Sequence, residues 1–438
     1  MKMFLYYDIN ERKALEKYLK GAELINKTAL KTAGAIISSV RSCGDKSLFS
    51  YTRKFDKFSA NKTNIRVKES ELRAAIKKVP AGLLNALKAA KVNIEKYHKK
   101  QLNSGFVVKT GYGELKMRAI PVESAGVYIP GGKAVYPSSV LMNLIPAKLA
   151  GVPRIVLCTP ARNGKISPVI LAAANICGVK EIYKAGGAQA IAALAYGTES
   201  NKAVVKITGP GNIYVAAAKK LIFGKAGIDS IAGPSEILIV ASGENNPEYA
   251  AADMLAQAEH DEKARSILIT DSVTFAGKVL MFINFQKKYL TRRSIVREAI
   301  KNCVIIIVKN IKDAVELSNN IAPEHLELFA KEAIKNADLY INAGAVFIGE
   351  NSMVALGDYL AGTNHVLPTG GTAKFSSPLG VYDFIKYQSV AKITEKGLKL
   401  LKPALKTLAG AEGLDGHWRS AELRRLSVKR QVFSGGAQ

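Results

Sequence analysis

Five histidines occur in the 438 residues, and four of them stand beside an acid, an amide or a glycine. In Met254-Leu255-Ala256-Gln257-Ala258-Glu259-His260 the apolar spacing predicts a helix that sets Gln257 and His260 on one face at i, i+3 and turns Glu259 away. Such an amide and imidazole can share a metal ion; a solvated helix end is the plainer alternative, because the spacing is not that of HExxH. In Ala322-Pro323-Glu324-His325, Pro323 breaks the preceding helix before an apolar, strand-like run. The adjacent Glu324 and His325 suit general-base work near neutral pH, taking a proton from an alcohol or from attacking water. For Glu324 the plainer alternative is an acid that opens a helix. Asp358 and His365 fall in a long Gly-rich stretch with little regular pattern, the kind of loop that tends to carry function. Asp358 suits a hard oxygen ligand for zinc, and His365 suits substrate binding. Glu412 and His417 lie far from all of these in sequence.

The elements that must position these groups change character along the chain. Four helices are expected in the first hundred residues, over 11–24, 28–42, 69–79 and 83–100. From Ala125 onward short β-branched runs alternate with apolar helical stretches, the texture of parallel sheets with helices on both faces. Some ten such units are too many for one small domain. The expected fold is therefore α/β, with two Rossmann-like parallel-sheet domains and small helical parts at each end. The division expected is 1–24 as an N-terminal helical segment, 25–127 with 235–377 as one α/β domain carrying most of the reactive residues, 128–234 as a second, and 378–438 as a tail. After Ser377 the strand signal fades and helices are expected over 393–410 and 420–429.

Three glycine turns, Pro130-Gly131-Gly132, Gly186-Gly187 and Gly209-Pro210-Gly211, introduce or closely precede helices, where free N–H groups and the helix dipole favour phosphate. No GxGxxG fingerprint exists, so spacing alone makes NAD a weak inference.

Bulk properties exclude several classes. The 48% hydrophobic content describes a globular chain, and Cys43, Cys158, Cys177 and Cys303 form no CxxC pair, which points to a reducing cytoplasm and leaves any metal to His, carboxylate and amide ligands. The apolar run Met3–Tyr7 is too short for a signal-peptide core, and no stretch reaches the roughly 20 apolar residues of a membrane span. The formal charge of +27 invites a nucleic-acid reading. Over 61–100, however, the basic residues alternate with apolar ones at helical spacing and no aromatic RNA motif interleaves, so we read a solvated basic face that steers anionic ligands such as a dinucleotide.

Taken in order, YIPGG, AGGAQAIAALAYGT, GPGN, AGPSE, QAEH, APEHLEL, GDYLAGTNHVLPT and EGLDGH resemble the ordered motif set of the histidinol dehydrogenase family, from about Met117 to His417. The resemblance implies two successive NAD-dependent oxidations of L-histidinol to L-histidine through bound histidinal, the last reaction of histidine biosynthesis. It implies one zinc per subunit at Gln257, His260, Asp358 and His417, anchoring the substrate rather than generating hydroxide. His325 matches the base that takes the hydroxyl proton, and Glu324 the group that activates water. Ser235, His365 and Glu412 match further substrate-binding positions beside Gln257, His260, His325, Asp358 and His417; Tyr128, Gln189 and Asn212 match NAD-binding ones. The family pattern is a homodimer with exchanged tails, so Glu412 and His417 would act in trans. Two other readings are a paralogous zinc and NAD dehydrogenase of another polar alcohol, against which Glu324, His365 and Glu412 together argue, and a basic nucleic-acid-binding protein on an enzyme scaffold, motivated by charge alone.

Overall fold

The computed structural model describes residues 1–19, 25–131 and 135–424, so Gly132 of the first glycine turn and the segment from 425 lie outside the described residues. Contacts divide the chain into two compact units, 1–102 with 121–384, and 103–120 with 385 onward.

The first unit holds both expected parallel sheets. One has six strands in the spatial order Lys2–Leu5, Val304–Ile307, Arg265–Thr270, Glu236–Ala241, His325–Leu328 and Ala345–Ile348. Every adjacent pair is parallel. The strands read as continuous apolar runs because both faces are covered. Ile237 and Ile239 pack beneath the helices Pro247–Ala258 and Val273–Gln286, whereas Leu238 and Val240 face the opposite core with Leu15 and Leu317. The other sheet has five parallel strands in the order Glu181–Lys184, Arg154–Thr159, Ser124–Tyr128, Lys206–Thr208 and Gly227–Ile228. Numbered within itself, this is 3-2-1-4-5, and the strand order reverses between Ser124–Tyr128 and Lys206–Thr208. Such a reversal opens a ligand crevice beyond the carboxyl ends of the two strands. The six-stranded sheet repeats the same order from Glu236 onward, with Lys2–Leu5 added at its edge.

Expectation and structure part company in three places. The N-terminal segment is not helical throughout: Lys2–Leu5 is a parallel edge strand and the helix behind it spans Ile9–Leu19, while 20–24 lie outside the described residues. The hairpin Gly105–Thr110 and Gly113–Pro121 belongs with the C-terminal part rather than with an α/β domain, since its second strand neighbours Ile385–Ile393 in a three-stranded sheet. Of these strands, Ile385–Ile393 escaped notice because it is largely exposed and mixes charged with apolar residues. Finally, the tail helices span Glu395–Ala411 and Asp415–Glu422. Within this second unit Gly397 is required by packing, for a Cβ there would lie 1.9 Å from the Tyr112 carbonyl oxygen in the hairpin turn.

Among the described residues no helix is long and apolar enough to cross a membrane. The four cysteines are free, and all but Cys43 are buried.

Candidate active site

The Pro247–Ala258 helix stops two residues before His260: the Glu259 N–H still reaches the Leu255 carbonyl four residues back, but the His260 N–H closes a tighter turn onto the Gln257 carbonyl. The expected helical i, i+3 pair is therefore a helix residue followed by a C-terminal turn residue. Gln257 is 2% exposed, and its Nε2 is enclosed without a hydrogen-bond partner among the described residues. A buried amide without a partner is costly, so this one is suited to a ligand.

Glu324 does not open a helix. Ala322 ends the Ile311–Ile321 helix in the left-handed region at φ 52°, and Glu324 then directly precedes the His325–Leu328 strand. Both reactive side chains are held by the backbone of Glu236, the first residue of the neighbouring strand. Its N–H donates to Glu324 Oε2 at 2.8 Å, and its carbonyl accepts from His325 Nδ1 at 2.9 Å. The Ser235 side chain lies close enough to favour the charged form of the Glu324 carboxyl. These groups sit at the amino ends of two adjacent strands of the six-stranded sheet, opposite in sense to the usual crevice. Burial pushes the Glu324 carboxyl well above the usual range, with the Glu236 and Asp358 charges adding to it and the Glu236 N–H opposing. Burial likewise lowers His325, against the opposing pull of Asp358, and keeps it neutral. Because a carbonyl only accepts, Nδ1 carries the proton, and Nε2 presents a buried lone pair with no partner.

The helix Val354–Tyr359 delivers Asp358 to the same place. Its Oδ1 lies 4.0 Å from His325 Nε2 and 3.8 Å from His365 Nδ1, and its backbone carbonyl accepts from His365 Nδ1 at 2.9 Å. Burial lowers His365 as well, with Asp358 pulling the other way. His260 is close enough to perturb both His325 and His365. Sequence reasoning missed Ser139, from the first helix of the five-stranded sheet, whose Oγ donates to His365 Nε2 at 3.0 Å. Nothing in its local sequence signals this. It also passed over Glu236, whose role is carried by the backbone.

The structure thus gathers His260, Glu324, His325, Asp358 and His365, with Ser235 on Glu324 and Gln257 one turn before His260. Glu412 and His417 stand exposed on the second unit. Among the described residues no three His, Cys, Asp or Glu side chains form a metal-binding group on their own. The donor types nevertheless suit zinc, which accepts imidazole nitrogen and carboxylate oxygen, and the amide oxygen of the buried Gln257 is the atom of that side chain that would join them.

At the carboxyl ends of the five-stranded sheet the buried Tyr128 hydroxyl accepts from the Gly187 N–H at 3.1 Å. Both amide atoms of the buried Gln189 lack partners among the described residues. Asn212 caps the Ile213–Ile222 helix through Oδ1. Asp56, absent from the sequence reading, accepts from the Gly186 N–H at 3.2 Å, and burial lifts its carboxyl to about 6. The crevice walls meet at Gly209: its φ is 112°, and a Cβ would lie 2.0 Å from the Tyr128 carbonyl oxygen.

The family profile described as histidinol dehydrogenase matches residues 20–425. A histidinol dehydrogenase of Bacillus cereus is 48% identical over 96% of this chain and 98% of its own length. One of Bradyrhizobium diazoefficiens is 50% identical over 90% and 91% of the two chains. The crystal structure of histidinol dehydrogenase from Elizabethkingia anophelis superposes with a TM-score of 0.91 at 38% identity, covering 97% of this chain and 98% of that one. The chain belongs to the histidinol dehydrogenase family, NAD-dependent oxidoreductases of histidine biosynthesis.

Proposed function

We propose that the protein oxidises L-histidinol to L-histidine in two NAD-dependent steps at one site, holding histidinal between them. The observation that carries this is the neutral His325, whose Nδ1 is committed to the Glu236 carbonyl while Nε2 faces Asp358 with a free lone pair. Gln257, His260 and Asp358, with His417 from the partner, would hold one zinc per subunit. When bound, the zinc anchors the substrate through its imidazole and amine nitrogens. His325 Nε2 accepts the hydroxyl proton as the carbinol hydride leaves to NAD. Glu324 takes a proton from water as its oxygen adds to the aldehyde, and His325 returns its proton to the aldehyde oxygen, giving the hydrate and leaving His325 neutral again. His325 then removes a hydrate proton while a second hydride passes to a second NAD, leaving the carboxylic acid, which loses its remaining proton to solvent as the carboxylate. Enclosure of the site keeps the aldehyde from escaping.

On this reading residues 128–234 bind NAD through Tyr128, Gln189 and Asn212 in the crevice of the five-stranded sheet. The remainder of the first unit carries the zinc and acid–base groups, with Ser235 and His365 completing the substrate site. Residues 103–120 move from the α/β part to the tail unit, as their strand pairing requires. A homodimer with exchanged tails is supported by that unit's exposed apolar side chains, Phe106, Val107, Val108, Tyr387, Val390 and Ile393. The unoxidised cysteines are in keeping with the cytoplasm. The test is turnover of L-histidinol by purified protein with NAD, before and after removal of metal by a chelator and restoration with zinc. Failure to oxidise L-histidinol with zinc restored would overturn the proposal.

A further inference from the structure

Two acids near the site take no part in the proposed chemistry. Glu327 is fully buried on the His325–Leu328 strand, and Asp253 is half-buried on the Pro247–Ala258 helix. Glu327 Oε1 accepts from the Val354 backbone N–H at 2.9 Å. It thereby does for the Val354–Tyr359 helix what the cap residue Met353 cannot, since Met353 supplies no side-chain bond. Glu327 Oε2 is enclosed and meets no N–H or hydroxyl donor. The group in hydrogen-bonding contact with this carboxyl is the carboxyl of Asp253. Carboxylates are acceptors only, so two of them bond to each other through a proton. Burial raises both acids and the Asp253 charge raises Glu327 further, which places the proton on Glu327 and the negative charge on Asp253.

Each partner stands one structural repeat from a residue of the proposed site. Asp253 precedes Gln257 by four on one helix face, Glu327 follows His325 by two on one strand face, and Val354 precedes Asp358 by four. Three separate elements are thus tied together directly behind the groups they present. Given the roles proposed above for those three residues, we propose that Asp253 and Glu327 form a proton-sharing positioning pair that, with the Val354 N–H, fixes the mutual placement of Gln257, His325 and Asp358.

Infrared difference spectroscopy on the whole protein at neutral pH, wild type against Glu327→Gln, reads the pair without reference to substrate. A protonated carboxylic-acid carbonyl band present in the wild type and lost in the variant is expected; absence of that band overturns the pair, whatever the substrate proves to be. Glu327→Leu removes both the acceptor and the proton. It is expected to lower kcat with L-histidinol about tenfold or more while moving the KM for NAD less than about twofold. Glu327→Gln keeps an acceptor for Val354 and offers an N–H to Asp253, so it should recover most of that loss. Equal damage in the Gln and Leu variants, or full turnover by the Leu variant, overturns the positioning role. If Glu327→Leu does not fold, Asp253→Ala against Asp253→Asn makes the same comparison, because Asn still accepts the Glu327 proton.

Discussion

His325 Nδ1 donates to the Glu236 carbonyl at 2.9 Å, and that bond decides which imidazole nitrogen can act as a base. The lone pair is confined to Nε2, on the side of Asp358. Replacing His325 by Asn should therefore lower turnover about 100-fold or more while leaving zinc content nearly unchanged. Steady-state kinetics paired with metal analysis checks this. Loss of zinc in the variant would instead mark His325 as a metal ligand.

Glu412 and His417 stand exposed on the second unit, on the helical tail, in a single chain. If the tail serves the neighbouring site, mixing inactive His417→Ala and His325→Asn subunits restores activity in heterodimers, since one of the two sites then carries both wild-type residues. No recovery after proven subunit exchange would count against the exchanged tail.

Lys219 and Asp229 are 3% and 4% exposed and form an ion pair around the crevice turn. Lys219 Nζ donates to the Gly209 carbonyl at 2.9 Å, and Asp229 Oδ2 accepts from the Gly209 N–H at 2.8 Å. Lys219→Met leaves a buried carboxylate without its counter-ion and should cost about 3–5 kcal/mol of stability, with part recovered in Lys219→Met/Asp229→Leu. Denaturant unfolding measures both. A single variant with near-wild-type stability would show that the pair does not hold the turn.

The Glu327 proton also makes a prediction about stability. In the unfolded chain Glu327 ionises in the ordinary carboxyl range, whereas burial keeps it protonated in the folded chain to higher pH. Its contribution is therefore complete below the unfolded pKa and is lost progressively as pH rises toward the folded one. The thermal midpoint of the wild type should fall relative to that of Glu327→Gln across this range. Parallel curves for the two proteins would contradict a protonated Glu327.

Much of this was legible in the sequence, for identifiable reasons. The strands at Ile237–Ala241 and Val304–Ile307 announce themselves because both sheet faces are buried, and the reactive pair Glu324-His325 because Pro323 isolates it at a junction. The edge strand Lys2–Leu5 is short and apolar and reads equally well as the start of a helix. The exposed strand Ile385–Ile393 carries no burial pattern. Helix ends were the other weak point: His260 lies in a tight turn closed by its backbone bond to Gln257, which side-chain periodicity does not encode. Contacts made through tertiary placement, such as Ser139 on His365 or Asp253 on Glu327, leave no local mark because their partners are 226 and 74 residues away in sequence.

The most direct test of the proposal that one enclosed site performs both oxidations is product stoichiometry during turnover of L-histidinol in the presence of an aldehyde-trapping reagent. Two NADH and one histidine formed per histidinol consumed, with no trapped histidinal, is the expected result. One NADH per histidinol, with histidinal accumulating in the trap, would contradict it.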